Sequence, residues 1–167
     1  MKPLFTIGHG TRKADEFLGL LQQYNIKFLL DVRSRPYSRF NPQYNQKQLQ
    51  KFLEEHNITY VFMGDTLGGR PDDKSVYNIE GKIDYRLLKE KDYFKTGIER
   101  VKTALQKDLD VAVMCSERKP SECHRSRLIG EVLFKDGIAL NHIDDKGELK
   151  DQPSVMKETL GPGGLWD

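Results

Sequence analysis

The chain has 167 residues, of which 37% are hydrophobic and 31% charged, and its formal net charge is +2. This composition is typical of a globular protein, and the length predicts one domain over residues 1–167 with a core of its own. No apolar run reaches the roughly 18 residues that a membrane helix needs, so we expect no membrane partner. The N-terminus lacks a signal-peptide pattern, which predicts a cytoplasmic location.

The first half of the chain alternates apolar runs with amphipathic stretches. A first strand is predicted at Leu4–Ile7, directly before the Gly8-His9-Gly10 turn. Apolar residues at helical spacing then predict a helix from Ala14 to Tyr24 and another around residues 49–53. Two further apolar runs predict the second and third strands, at Ile26–Val32 and Ile58–Met63.

Two segments of the first half have no regular periodicity. Ser34–Asn45 contains arginine, tyrosine and proline residues and is predicted to be a loop. Asp65–Ile83 contains Gly68, Gly69, Pro71 and Gly81, which predicts a long irregular insertion of the kind that often serves as a lid or a binding loop.

The second half continues the alternation. An amphipathic stripe from Phe94 to Leu105 predicts a helix, and Val111–Met114 the fourth strand. A helix carrying Leu128 to Leu133 follows, and then a fifth strand at Ile138–Ile143. An Asp145-Lys146-Gly147 turn predicts a C-terminal hairpin into Glu148–Lys150, and residues 160–167 are expected to be a flexible tail.

Alternating strands and helices predict an α/β fold with a mostly parallel sheet of about five strands and helices on both faces. Parallel strands all deliver their last residues to one edge of the sheet, where such folds bind ligands. We therefore expect the polar residues that follow the strands to cluster there. These residues are His9, Asp31, Arg33, Asp65, Cys115, Glu117 and His142.

The segment from Val111 to Leu133 holds both cysteines of the chain, between the fourth strand and a helix. Cys115 ends the strand, and a thiol near cationic groups or a helix N-terminus is a better nucleophile because its pKa is lowered. Burial as a small apolar side chain is an equally good interpretation. Cys123 and His124 stand eight and nine positions later. A metal site made of Cys115, Cys123 and His124 is a further interpretation, less favoured than the other two. A disulfide between the cysteines would need Cα atoms about 6 Å apart.

Arginines flank the same strand ends. Arg33, Arg35 and Arg39 follow the second strand, and Arg125 and Arg127 open a helix. Because guanidinium groups bind phosphate and carboxylate bidentately, Arg33, Arg35 and Arg125 are predicted substrate ligands. Their alternative role is to pair with nearby carboxylates and hold the loops. Tyr37 lies among these arginines, an arrangement that also suits stacking on a nucleobase.

Histidines and acids complete the candidate site. His9 and His124 are assigned to proton transfer, with a hydrogen-bonded, structural His9 as an equal alternative. Glu117 is a further catalytic candidate, and Asp65 is assigned to substrate binding. Asp31 and His142 are expected to be structural.

Four segments of the sequence resemble the domain of unknown function 488 family. They are TIGHG, DVRSRPYSRF, LGGRP and, above all, CSERKPSECHR. The resemblance implies a compact α/β domain in which Cys115, Glu117, Pro120, Cys123, His124 and Arg125 occupy the family's characteristic positions, and it implies no reaction. A more distant similarity links Cys115 and Arg125 to the anion-binding loop of cysteine phosphatases and rhodaneses. Their spacing of ten positions is longer than in that compact loop.

Three hypotheses about function follow. The first is a cysteine-dependent hydrolase or transferase that acts on a phosphorylated small molecule, a nucleotide or a nucleic-acid end. The second is a non-catalytic module that binds nucleotides or nucleic acid. The third is a metal or redox site at Cys115, Cys123 and His124. No cofactor is predicted under the first hypothesis.

Overall fold

The structure, a computed structural model, describes residues 1–160, so most of the expected flexible tail lies outside the described residues. Six strands form one sheet. They are β1 (Leu4–Gly8), β2 (Phe28–Asp31), β3 (Thr59–Phe62), β4 (Val111–Cys115), β5 (Leu140–Ile143) and β6 (Leu149–Asp151). The α/β prediction is confirmed, and so is the hairpin, because β6 pairs antiparallel with β5.

Seven α-helices accompany the strands within the described part of the chain. They are α1 (Ala14–Gln23), α2 (Gln46–Glu54), α3 (Gly64–Leu67), α4 (Tyr85–Lys89), α5 (Asp92–Gln106), α6 (Glu131–Lys135) and α7 (Gln152–Leu160). A π-helical turn, Arg125–Gly130, leads into α6. The short helices α3 and α4 and the C-terminal α7 were not predicted. α7 has only a weak amphipathic pattern, and Pro153 stands in its first turn, where proline is tolerated.

The sheet order is β3-β2-β4-β1-β5-β6, with β1 to β5 parallel. β4 lies at the centre between β2 and β1, although it is the fourth strand in the chain. Cys115 therefore leaves the sheet between the ends of the first two strands, opposite Gly8 in the register. This topology brings the polar residues after β1, β2 and β4 to one edge.

Side-chain alternation along the strands builds a core on each face of the sheet. In β4, Val111, Val113 and Cys115 pack into one core, which also contains Leu67 and Phe94 from the helices of that side. Ala112 and Met114 pack into the other core, beneath α1 and α2. Cys115 thus points to the same side of the sheet as Cys123, which belongs to the first core.

Gly8 sets how closely the loop after β4 approaches β1. A Cβ atom at this position would overlap the backbone carbonyl oxygen of Glu117. The loop is held there by backbone bonds from His9 N to Cys115 O (3.0 Å) and from Gly10 N to Ser116 O (2.9 Å). The absence of a side chain at Gly8 therefore places Cys115 and Glu117 beside the end of β1.

No helix within residues 1–160 combines the length and the apolar composition needed to cross a lipid bilayer.

We predict that Gly8→Ala lowers the free energy of unfolding by about 1–3 kcal/mol, because its methyl group must push the Glu117 backbone away. The control is Gly19→Ala, at an exposed position of helix α1, where no atom lies within 4 Å of an added Cβ. That change should stabilise the protein by about 0.5–1 kcal/mol. Urea unfolding of both variants measures the difference, and equal shifts would contradict this account of Gly8.

Candidate functional site

A cavity of about 740 Å³ opens at the carboxyl edge of the sheet, next to the ends of β2 and β4. Its wall includes five of the residues predicted from the sequence as site residues: Arg33, Arg35, Cys115, Glu117 and His124. The 65–83 insertion forms the opposite wall with Gly69, Arg70, Pro71, Asp72, Lys74, Tyr77 and Ile83. Another depression, of about 650 Å³, lies along α5, away from these strand ends.

Arg33 is held by a buried network at the end of β2. Its Nε and Nη2 atoms each donate to an Asp31 carboxylate oxygen at 2.9 Å, and Nη2 also donates to the Tyr44 carbonyl at 2.7 Å. Tyr60 donates its hydroxyl to Asp31 Oδ2 at 2.5 Å. Most of the Arg33 donors are therefore used inside the protein. Arg33 thus takes the alternative role considered for the arginines, in which they pair with carboxylates and hold the loops.

His9 belongs to the same network and lies outside the cavity wall. Its Nε2 is 3.3 Å from Arg33 Nη1, its Nδ1 is 2.8 Å from the Gly10 carbonyl oxygen, and its ring stacks on Tyr44. Since the carbonyl only accepts, Nδ1 carries the proton and Nε2 accepts from Arg33. Burial lowers the pKa of His9 to about 4, so the imidazole is neutral at pH 7.

Cys115 and Cys123 meet below the cavity. Their sulfur atoms are joined as a disulfide, and their Cα atoms are 7.1 Å apart, farther than the separation of about 6 Å expected for one. Cys115 lines the cavity, whereas Cys123 is 2% exposed and lies behind it. The carboxylate of Glu117 completes a cluster in which the ligand atoms of the three residues lie within 4.8 Å of one another.

His124 is held in one tautomer at the base of the insertion. Its Nε2 lies 3.1 Å from the Val32 carbonyl oxygen and 3.0 Å from that of Leu67, so Nε2 carries the proton and donates to both. Its Nδ1 then presents a lone pair 3.6 Å from Cys123 Sγ. Burial lowers the pKa of His124, which favours the neutral ring. Gly69 packs against this ring, where a Cβ would collide with it.

Arg125 is buried beneath the cavity and does not line it. Its Nη2 donates to the Arg118 carbonyl at 3.2 Å, while Nε and Nη1 have no hydrogen-bond partner within residues 1–160. Burial, reinforced by the charge of Arg12, lowers its pKa to about 9. The cavity instead contains Arg127, which lies two positions further along the helix.

Two other predicted site residues lie away from the cavity. Asp65 is exposed on α3, and Tyr37 is 71% exposed on the loop after β2. His142 is fully buried in β5, where it contacts Thr6 Oγ1 and Gln152 Oε1, each at 2.6 Å. Its place beside Thr6 in the sheet register is inside the sheet and not at its edge, consistent with a structural role.

Two cavity cations were not considered from the sequence, Arg70 and Lys74, and a third, Arg127, was named with Arg125 but not chosen as a substrate ligand. The helical pattern of the sequence could have separated these two arginines. Arg125 lies on the same stripe of the helix as the apolar residues Leu128, Ile129 and Val132, whereas Arg127 lies off that stripe. Arg70 and Lys74 belong to the insertion, whose irregular sequence does not reveal which side chains turn inward.

We predict that Asp31→Ala lowers the free energy of unfolding by about 3–5 kcal/mol, because it leaves the buried Arg33 guanidinium without its carboxylate. The matched control is Asp72→Ala, which breaks the exposed Arg35–Asp72 pair of 3.6 Å and should cost at most about 1 kcal/mol. Chemical denaturation compares the two variants. A similar small loss in both would contradict a structural role for the Asp31–Arg33 pair.

The buried histidines predict a fall in stability at acidic pH. Burial lowers the pKa of His9 and that of His142 to about 4 each, against an ordinary value of 6.5. Between these values the unfolded chain binds more protons than the folded one, so stability is lost as pH falls from 6.5 towards 4. The expected loss between pH 7 and 5 is about 2 kcal/mol per histidine.

His142→Gln should reduce that pH dependence of the unfolding free energy, because it removes one of the two buried imidazoles. Unfolding curves collected at pH 7 and pH 5 test this prediction. It is refuted if the His142 variant loses as much stability on acidification as the wild type does.

The family model for the domain of unknown function DUF488 matches residues 13–132 of the chain. The matched region includes the arginine-rich loop after β2, the insertion and the segment from Cys115 to Arg127, and hence most of the cavity wall. No curated protein matches the chain. The match covers more than half of the sequence, and the chain therefore belongs to the DUF488 family.

Proposed function

We propose that the protein is an enzyme that binds an anionic substrate in the cavity at the carboxyl edge of the sheet, with Cys115 at the reacting end. The proposed substrate class is a phosphorylated small molecule, a nucleotide or a nucleic-acid end, and the proposed reaction is hydrolysis or group transfer. The cytoplasmic location expected from the sequence stays a prediction.

The observation that carries the proposal is the excess of cations on the cavity wall. Five arginine and lysine side chains face three carboxylates there: Arg33, Arg35, Arg70, Lys74 and Arg127 against Asp72, Glu117 and Glu122. Among the described residues, Arg70, Lys74 and Arg127 have no carboxylate within ion-pair distance. Arginines whose donors are not used by the protein suit bidentate binding of a phosphate group.

The size and the walls of the cavity support a ligand larger than phosphate itself. Its volume of about 740 Å³ falls within the range of about 300–1,000 Å³ typical of small-molecule sites. Tyr77 and Tyr85 line the same cavity, and Arg70 and Arg127 continue into an adjoining depression. An aromatic wall beside cations is what a nucleotide with its base and phosphate would contact.

Cys115, Glu117 and His124, three of the four residues predicted as catalytic, lie on the wall of this one cavity. We place the reacting end of the substrate next to them. Arg33 and Arg125 contribute to the proposed site by holding the loops, since their guanidinium groups are buried and bonded to backbone atoms. Proton transfer by His9 stays a prediction on which this proposal does not depend.

The second candidate function is non-catalytic binding of nucleotides or single-stranded nucleic acid. A specific feature favours it, namely the exposed aromatic loop that follows Arg35 in the sequence. Tyr37 and Phe40 are 71% and 86% exposed, and the Arg39 guanidinium lies 5.8 Å from the centre of the Phe40 ring. Exposed rings and guanidinium groups of this kind stack on unpaired bases.

We expect Arg70→Ala and Arg127→Ala each to weaken the binding of inorganic phosphate and of a 5′-nucleoside monophosphate by about tenfold or more, because each removes a charged hydrogen-bond donor. Isothermal titration calorimetry at two salt concentrations measures the effect, and the wild-type affinity should fall as salt rises. Arg100→Ala, at an exposed arginine of α5, is the control and should bind as the wild type does.

A single-stranded oligonucleotide separates the two candidates. If Tyr37→Ala and Phe40→Ala weaken oligonucleotide binding and leave mononucleotide binding intact, the nucleic-acid module is favoured. The enzyme proposal is contradicted if neither phosphate nor the nucleotide binds, or if the Arg70 and Arg127 variants bind both as tightly as Arg100→Ala does.

A further inference from the structure

The two cysteines are spaced more widely than in most disulfides. Their sulfur atoms are within bonding distance, but their Cα atoms are 7.1 Å apart. Disulfides usually join Cα atoms about 4.4–6.8 Å apart, and a wider pair needs backbone movement before it is bridged. The backbone at Cys115 and Cys123 is therefore more open than a disulfide usually requires, so that the two sulfurs can move apart once they are reduced.

Glu117 supplies a third ligand from the same loop. The two sulfurs and a Glu117 carboxylate oxygen all lie within 4.8 Å of one another. Two thiolates bound to one tetrahedral zinc ion, at Zn–S distances of about 2.3 Å, are about 3.8 Å apart. The three ligand atoms are therefore close enough to reach one ion, provided that the two sulfurs move apart on reduction. Glu117 is exposed, so its side chain can adjust without disturbing the core.

His124 adds a nitrogen donor next to Cys123. Its Nδ1 is 3.6 Å from Cys123 Sγ, and a tetrahedral zinc ion with Zn–S about 2.3 Å and Zn–N about 2.1 Å would separate these atoms by about 3.6 Å. The other ring nitrogen donates to the Val32 and Leu67 carbonyls. Metal-binding histidines characteristically make such a bond, which fixes the tautomer and aims the free lone pair at the ion.

The backbone around Cys123 also favours a thiolate. The Arg125 N–H points at Cys123 Sγ, with a nitrogen to sulfur distance of 3.4 Å. This contact stabilises negative charge on the sulfur, because a hydrogen bond to the charged form of a group favours that form. The π-helical turn Arg125–Gly130 starts immediately after His124, and turns of this kind frequently occur at functional sites.

We propose that, when the two cysteines are reduced, Cys115, Cys123, Glu117 and His124 bind one Zn²⁺ ion at the floor of the cavity. Two thiolates and an imidazole are soft or borderline ligands, which favour zinc over magnesium or calcium. Because Cys115, Glu117 and His124 line the cavity, the ion would face the anionic group of a bound substrate. Only the expectation that the ion faces a substrate anion rests on the proposed function, because the metal ligands and the cavity cations are different residues.

The test uses the full chain without an affinity tag, reduced and stripped of metal with a chelator, then titrated with Zn²⁺ and, separately, with Co²⁺. We expect one ion per chain by elemental analysis. Bound Co²⁺ should show thiolate-to-metal charge-transfer absorption, and bound zinc should raise the thermal midpoint of unfolding, because it binds the folded state. Both thiols should react with a thiol reagent at least about tenfold more slowly when zinc is present, because the thiolates are then ligands.

Variants of exposed residues avoid the risk that a buried cysteine substitution unfolds the protein. Glu117→Gln should weaken zinc binding by at least about tenfold, whereas Glu122→Gln, at the other exposed glutamate of the cavity wall, should not change it. The double variant Cys115→Ser, Cys123→Ser should bind no zinc. If the reduced wild type binds no zinc or cobalt and its thiols react at the same rate with and without zinc, the metal site is refuted.

The metal site and the anion site can fail separately. Arg70→Ala should lose phosphate binding and keep its zinc. A wild-type protein that binds phosphate and no metal would refute the zinc site alone, and one that binds zinc and no phosphate would refute the anion site alone. Equal affinity of the Glu117 and Glu122 variants for zinc would also count against the ligand set proposed here.

Discussion

The buried ion pair between Asp31 and Arg33 is the interaction on which the geometry of the carboxyl edge depends. It is bidentate, and it joins three elements through Tyr60 in β3, the Tyr44 carbonyl and the His9 ring after β1. A buried ion pair is a costly device for stability alone, because both charges must leave water. Here it holds the end of β2 in one conformation, and this fixes the positions of the residues that follow.

The residues next to Arg33 make hydrogen bonds that position parts of the cavity wall. The Val32 carbonyl accepts a hydrogen bond from His124, and Ser34 Oγ accepts one from the Arg70 backbone N–H at 2.8 Å. One strand end thus orients a histidine of the Cys115–Arg127 segment and an arginine of the insertion. The two walls of the cavity are positioned by the same short stretch of chain, and this explains how an irregular insertion presents cations at defined places.

Two groups of arginines in this protein differ in their chemistry. Arg12, Arg33 and Arg125 are almost fully buried and donate to backbone carbonyls or to Asp31, so that they connect loops at the strand ends. Arg70 and Arg127 are exposed on the cavity wall, and their donors are available to a ligand. Under the proposals made here, the exposed group would bind the anion while the buried group keeps the cysteine loop in place.

The sequence by itself determined the fold class, the approximate positions of five strands, the C-terminal hairpin and the edge at which a site should be sought. Those features follow from local patterns, because the period of apolar residues specifies strand or helix and parallel strands must end on one side.

Only the tertiary structure decided which polar residues share the cavity. Arg125 and Arg127 are two positions apart, yet the helix turns one into the core and the other into the cavity. Arg70 meets that cavity only because the insertion folds back over the end of β4. The contact of Cys115 with Cys123, and the tautomer of His124, likewise depend on carbonyl groups and backbone separations from distant segments, which no local pattern in the sequence encodes.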